Sequence, residues 1–168
     1  MSFVGVDPIE ILLYAQDDPI SGRTSSLLSL GMSRRPMNAA DEMLQSNDGP
    51  RAELMLATRA AAEQVWRRVA LLAAGPDVEG VVYEPGMRID LGESWFAGSR
   101  CVGAVLVEAP LVPVSVGAGH TVTILELKPA TAEELAWARV HGTPRLIERW
   151  SETGTDLTDL LRTGVRLD

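Results

Sequence analysis

The chain has 168 residues and a mass of 18.1 kDa, enough for one well-packed core and too little for two full domains, so a single domain over residues 1–168 is expected. Apolar residues make up 46% and charged residues 23%, which excludes a disordered or fibrous chain. A net charge of −8 and a pI near 4.8 exclude a general binder of nucleic acid or anionic membrane, because both need clustered Lys and Arg.

The N-terminal stretch MSFVGVDPIEILLY has no basic region and carries Asp7, Pro8 and Glu10 where a secretory signal would be apolar. No run approaches the roughly 20 apolar residues of a membrane span, so a soluble, cytoplasmic protein is expected. The apolar run Ile9–Ala15 predicts a strand, closed by the turn-forming QDDPISG, and RTSSLLSL predicts a second strand that Gly31 ends. After Pro36, NAADEML predicts about two helical turns with Asn38 as N-cap. RAELMLA predicts a third strand. Thr58–Ala74 places Val65, Val69 and Leu72 on one face at helical spacing and predicts a helix stopped by Gly-Pro-Asp.

Residues 80–99 are rich in Gly and predict short strands around an exposed loop. CVGAVLVEA and HTVTILELK predict two neighbouring strands, joined by the irregular PLVPVSVGAG. The last third turns helical. Thr131 and Glu134 form a capping box, Gly142 supplies a stop, and Thr143 with Pro144 reads as N-cap and first residue of PRLIERW. DLTDLLRTGV predicts one further short helical turn. Strands and helices are partly segregated, which predicts α+β rather than a regularly alternating α/β sheet.

The chemistry-bearing residues are few. Ser33 in GMSRR follows a strand and a glycine, as a hydrolase nucleophile does, but Arg35 and Pro36 stand where the elbow needs a second glycine. His120 and His141 satisfy the order of a triad and little else. Ser33 therefore reads first as a turn-shaping cap, with a small serine hydrolase as the alternative. Two distant histidines and one cysteine do not assemble a zinc site, and the acidic turns QDDP and SNDGP are too short to count as a cation loop. No cofactor and no metal are expected. Cys101, the only cysteine, lies in an apolar strand and reads as a packing residue of a reducing compartment. Lys128 is the only lysine among many arginines, the bias of a GC-rich, bacterial genome.

Four tryptophans are left. Trp66, Trp137 and Trp150 lie in predicted helices and read as core. Trp95 with Phe96 sits among Gly and polar residues, where an aromatic pair either anchors a partner or tucks onto the sheet. The candidate partner-binding set combines this pair with Arg88 and Asp90 in the same segment and with Arg34 and Arg35, two cations on an acidic protein.

Three blocks in order carry a family resemblance. They are SLLSLGMSRRPM with RAELML, then VWRRVALLAAGPDVEGVVYEPGMRIDLGESWF, then VTILELKPATAEELAWARVHGTPRLIERW. Together, from about Arg23 onward, they resemble the suppressor-of-fused (SUFU) domain. Ser29 stands where that family often has threonine, and Arg34 and Arg35 replace a commonly acidic or polar pair. The resemblance implies a single α+β domain, a mixed, mainly antiparallel sheet packed with helices, without enzymatic activity, that binds a protein. For bacterial members it implies an immunity protein that neutralises a cognate toxin, and the acidity here suits a basic toxin domain. Regulation of an endogenous protein partner is the alternative.

Overall fold

Along Gly22–Leu30 every second residue from Ser25 is buried, namely Ser25, Leu27 and Ser29, which is the period of a strand with one covered face. The structure, a computed structural model, describes residues 7–18, 22–41, 46–60 and 62–167. Among these residues seven strands form one sheet: β1 (Glu10–Asp18), β2 (Gly22–Leu30), β3 (Arg51–Thr58), β4 (Arg88–Asp90), β5 (Cys101–Glu108), β6 (Val114–Val116) and β7 (His120–Thr131). Helix α1 (Glu63–Glu79) follows β3, and α2 (Ala132–His141) and α3 (Thr143–Glu152) follow β7. The strand order is β1-β2-β3-β7-β5-β4, with β6 beside the start of β7. Among the described residues only β3 and β7 pair in parallel, so the fold is α+β, as the segregation of elements predicts, with the mixed, mainly antiparallel sheet that the resemblance implies.

The two faces of the sheet are covered differently. In β5, Ala104 and Leu106 join the core under α1, while Val105 and Val107 turn to the opposite side and meet Leu135, Leu146 and Trp150 of α2 and α3. Burial on both faces explains why CVGAVLVEA is an unbroken apolar run rather than an alternating one. The expected pairing of this strand with HTVTILELK is present, as β5 against β7. In the other half of the sheet α1 covers one face, and among the described residues no helix packs on the other. Leu13, Leu27 and Leu56 share one row of that face, and Leu27 and Leu56 are core. The opposite row, Leu12, Leu28 and Met55, lies beyond the reach of α2 and α3, which pack on β5 and β7.

Helix α1 does not stop at Gly-Pro-Asp; it runs five residues beyond Ala74, to Glu79, and Gly80 caps it in the left-handed region at φ 64°. A proline removes the bond from residue 76 to the carbonyl of Leu72, and that ordinarily ends a helix. Here the Tyr83 hydroxyl donates to Leu72 O at 2.9 Å and takes the missing donor's place. Gly75 makes room for it, since a Cβ there would lie 2.5 Å from Tyr83 Oη. The start moves as well, because Thr58 ends β3 and its hydroxyl accepts from Ala60 N–H at 3.0 Å.

Other local expectations change for similar reasons. Residues 38–41 are not helical: Asn38 Oδ1 accepts from Ser46 N–H at 2.9 Å, while residues 42–44 of NAADEML lie outside the described residues. Thr143 does not cap α3, because its buried hydroxyl donates to Gly86 O at 2.8 Å across the structure, and Gly142 occupies the cap position. The region of DLTDLLRTGV forms two successive turns rather than a helix, with Asp159 N–H donating to Asp156 O and Arg162 N–H to Asp159 O. Trp150 is core, and Trp66 and Trp137 are half-buried at core margins, Trp137 stacked on His141 with ring centroids 4.4 Å apart.

The capping box is present, with Thr131 N–H donating to Glu134 Oε2 at 2.8 Å. The same carboxylate, wholly buried, also receives Arg162 through both of its nitrogens at 2.8 Å, Trp150 Nε1–H at 2.9 Å and Val165 N–H at 2.9 Å. Burial alone would raise its pKa, but the Arg162 fork and these donors outweigh burial and hold it below the ordinary 4.5. The folded state therefore binds this proton less readily than the unfolded chain. Its stabilisation is complete above about pH 4.5 and is lost as pH falls through the lower folded value.

Two predictions follow from these contacts. Gly75→Ala, which drives a methyl group against Tyr83, should cost about 1–3 kcal/mol in urea unfolding, and Tyr83→Phe, which leaves the Leu72 carbonyl without a donor, about 1–2 kcal/mol. Glu134→Gln should cost about 3–5 kcal/mol at pH 7 by stranding Arg162. The gap from the parent protein should narrow as pH drops below 4.5, and a gap independent of pH would refute the assigned role.

Candidate functional site

The turn after β2 is built around a carboxylate. The β2–β3 ladder runs from Ser25 opposite Thr58 to Leu28 opposite Met55 and then opens. Into the opening Glu53 brings a buried side chain from an otherwise apolar strand. Its Oε1 accepts from Gly31 N–H at 2.9 Å, Ser33 N–H at 3.0 Å and Ser33 Oγ–H at 2.7 Å, and its Oε2 accepts from Ser29 Oγ–H at 2.5 Å. Ser29 Oγ in turn accepts from Leu54 N–H at 2.8 Å, so one hydroxyl bridges strand and carboxylate. Gly31 turns the chain at φ 126°, a conformation open to glycine, and so aims its own amide and that of Ser33 at one oxygen.

Ser33 is thus a donor to Glu53, and among the described residues neither His120 nor His141 hydrogen-bonds it. The turn is a carboxylate cradle, not an elbow that exposes a hydroxyl. Arg51 Nη1 donates to the carbonyls of Ser33 and Arg34 at 2.9 and 2.7 Å and closes it from outside. Arg34 and Arg35 are exposed and point to the start of β1, where Arg34 Nη1 donates to Pro8 O at 2.6 Å and Arg35 Nε lies 3.5 Å from Asp7 Oδ2.

Arg88 and Asp90 lie on β4, at the far edge of the sheet. Both are exposed. Arg88 Nη1 donates to Thr143 Oγ1 at 3.2 Å, and Asp90 Oδ1 accepts from Gly92 N–H at 2.9 Å. Beside them a groove of about 510 Å³ runs between α1 and β4. Leu71, Leu72, Val78, Tyr83, Ile89 and Leu91 give it an apolar lining, and Arg68, Glu79, Arg88, Asp90 and Glu93 charge its walls. Arg68 fixes one wall, donating from Nε to Trp95 O at 2.9 Å and pairing with Glu93 at 2.9 Å.

Trp95 itself is 0% exposed, and its Nε1–H donates to Gly103 O at 3.0 Å. The aromatic pair tucks onto the sheet: Trp95 has no surface to give a partner, and half-buried Phe96 packs on the same core. The partner-binding candidates also divide. Arg88 and Asp90 line the apolar groove, whereas Arg35 lines a separate, polar groove of about 530 Å³ with Asn38, Asn47 and Asp77. The two grooves meet only at Val78 and Glu79, near the end of α1.

Cys101 is buried, and burial pushes its thiol up to about 11, which makes it a packing residue rather than a nucleophile. Among the described residues no group of three or more His, Cys, Asp or Glu is placed to hold a metal, and no helix is long and apolar enough to cross a membrane. What sequence reasoning missed is Glu53 and the groove. Alternation along AELML puts Glu53 on the side of Met55, away from the core residues Leu54 and Leu56, so an acid there reads as an ordinary outward residue; the groove joins residues some twenty positions apart and leaves no local mark.

These features define a mixed-sheet α+β domain with a carboxylate-centred turn and an open groove at one sheet edge. The chain belongs to the suppressor of fused protein (SUFU) family, whose model matches residues 5–163. The fold is similar to that of the suppressor of fused protein in the Sufu–Fu complex, with TM-score 0.67 and 12% identity over 93% of this chain and 76% of that one. It is similar also to a SUFU homologue of Neisseria gonorrhoeae, with TM-score 0.64 and 14% identity over 96% and 89% of the two chains. Drosophila Suppressor of Fused gives TM-score 0.68 at 14% identity, and there the chain covers 92% of itself but 42% of that protein. No curated protein sequence matches the chain.

The cradle predicts a graded response. Ser33→Ala should lower stability by about 1–2 kcal/mol and Glu53→Gln by about 3 kcal/mol or more, because the amide turns a donor toward groups that already donate. A fluorophosphonate probe should leave the parent protein unlabelled. Labelling at Ser33, with stability unchanged in Ser33→Ala, would restore the hydrolase reading.

Proposed function

We propose that this domain is a non-catalytic protein-binding module that acts in the bacterial cytoplasm as an immunity protein, covering the active surface of a cognate toxin domain. The observation that carries the binding reading is the groove between α1 and β4. It combines an apolar floor with charged walls at a sheet edge that no described strand occupies, which suits a protein segment better than a small polar metabolite. Family membership and likeness to a suppressor of fused protein solved with its partner Fu support the same reading. The net charge of −8 favours a basic toxin partner through steering and complementarity.

In this reading Arg88 and Asp90 contact the partner, Phe96 and buried Trp95 hold the wall that carries them, and Arg34 and Arg35 extend the contact toward the polar groove. A second reading, regulation of an endogenous protein, is favoured by the Sufu–Fu likeness itself.

The chain should co-purify with a toxin domain encoded beside it and restore growth when the two are co-expressed. Arg88→Glu combined with Asp90→Arg should weaken that complex at least about tenfold with the fold intact. Trp95→Ala should act through lost stability, seen as a lower Tm. Recovery of one housekeeping or transcriptional protein, with no toxin encoded nearby, would replace immunity by endogenous regulation.

A further inference from the structure

The opposite edge of the sheet has a different character. β1 pairs with β2 along its whole length, from Glu10 opposite Leu30 to Asp18 opposite Gly22, and among the described residues nothing pairs with its outer side. A nine-residue edge strand with free backbone groups is a template for a further strand, and proteins usually blunt such an edge with a lysine, a proline or a bulge. β1 has none of these. At its centre three consecutive large apolar residues stand out from the protein: Leu12 at 46%, Leu13 at 58% and Tyr14 at 67% exposure.

Because neighbours in a strand alternate, both faces of the edge are apolar. Leu12 and Tyr14 continue the uncovered rows that pass through Leu28 and Met55 and through Ser26 and Ala57. Leu13 lies on the α1 side, over a hollow lined by Ile9, Ile11, Leu27, Trp66 and Ala70. A strand laid along β1 would bury apolar side chains on both of its own faces.

The charges say which strand fits. β1 carries Glu10 at its start and Asp17 near its end, both exposed, and no basic residue of its own; Arg23 of β2 lies 3.9 Å from Asp17, an exposed and therefore weak pair that a partner's cation can replace. A second copy is a poor occupant. In the two-fold antiparallel register centred on Leu13, Glu10 of each copy comes opposite Gln16 and next to the Asp17–Asp18 end of the other, so the acidic ends of the two strands meet twice. An extended segment with an apolar middle and Lys or Arg at its ends meets opposite charge instead.

We propose that β1 is a second docking site, which takes an extended, basic-ended apolar segment of a protein partner by strand addition. It is distinct from the β4 groove and does not depend on it.

The test uses the full chain and a synthetic peptide, RRVTVTVTRR, against its acidic-ended counterpart, EEVTVTVTEE. The basic peptide should bind at least about tenfold more tightly, and 0.5 M NaCl should remove most of the difference. Binding should slow hydrogen exchange at β1 amides that do not donate to β2. Leu12→Lys with Tyr14→Lys, two exposed positions, should abolish binding with Tm preserved. Glu10→Lys with Asp17→Lys should invert the preference between the peptides.

Three outcomes would overturn the proposal: no charge preference; binding that survives Leu12→Lys with Tyr14→Lys but is lost in Arg88→Glu, which moves the peptide to β4; or a parent dimer that Leu12→Lys with Tyr14→Lys makes monomeric, which gives the edge to a second copy.

Discussion

A buried carboxylate must be surrounded by donors or lose its charge, and two such carboxylates organise this domain. Glu53 collects two amides and two hydroxyls where β2 and β3 part. Glu134 collects a capping amide, a bidentate arginine, an indole and an amide of the C-terminal segment. Each oxygen pulls chain from several elements to one point. The first therefore sets the exit of β2, and the second pins the last turns of the chain to α2 and α3. Apolar packing alone tolerates sliding, whereas a forked arginine on a carboxylate admits one geometry.

The covering of the sheet follows from these anchors. Arg162 also donates to Pro129 O at 2.8 Å, so the C-terminal segment and the α2–α3 pair are held against the end of β7. Helices held there bury the second face of β5 and β7 and cannot also reach β1, β2 and β3. Among the described residues one half of the sheet is a three-layer sandwich and the other a two-layer one with no helix on its second face. The β4 groove and the β1 edge are the two margins of that asymmetric arrangement, and their chemistry differs: charged walls around an apolar floor at one, an apolar strand with acidic ends at the other.

Much of the fold is legible in the residues because its signals are local. The alternation of SSLLSL, the unbroken run CVGAVLVEA, the helical spacing of Val65, Val69 and Leu72, and the Thr131–Glu134 box each depend on neighbours within a few positions. The errors share one cause, which is a partner distant in sequence. Gly-Pro-Asp reads as a stop until Tyr83 supplies the donor that Pro76 lacks. Thr143 reads as a cap until its hydroxyl finds Gly86, 57 positions away. Trp95 reads as either anchor or core until the Gly103 carbonyl meets its indole. Of the candidate site, Arg88 and Asp90 fell beside a groove, and Glu53 left no mark, because alternation along β3 puts it on the Met55 side, away from Leu54 and Leu56.

By itself, then, the sequence determined the elements, the α+β class and the family, since periodicity, caps and ordered motif blocks are all written in short stretches of chain. Only the tertiary structure decided which charges are buried, which face of the sheet is bare, and whether Ser33 exposes a hydroxyl or spends it. Those outcomes rest on contacts such as Arg162 with Glu134, 28 residues apart, and Ser33 with Glu53, 20 apart. A hydroxyl or a carboxylate acquires its role from whatever the fold brings within hydrogen-bonding distance, and no local pattern encodes that distance.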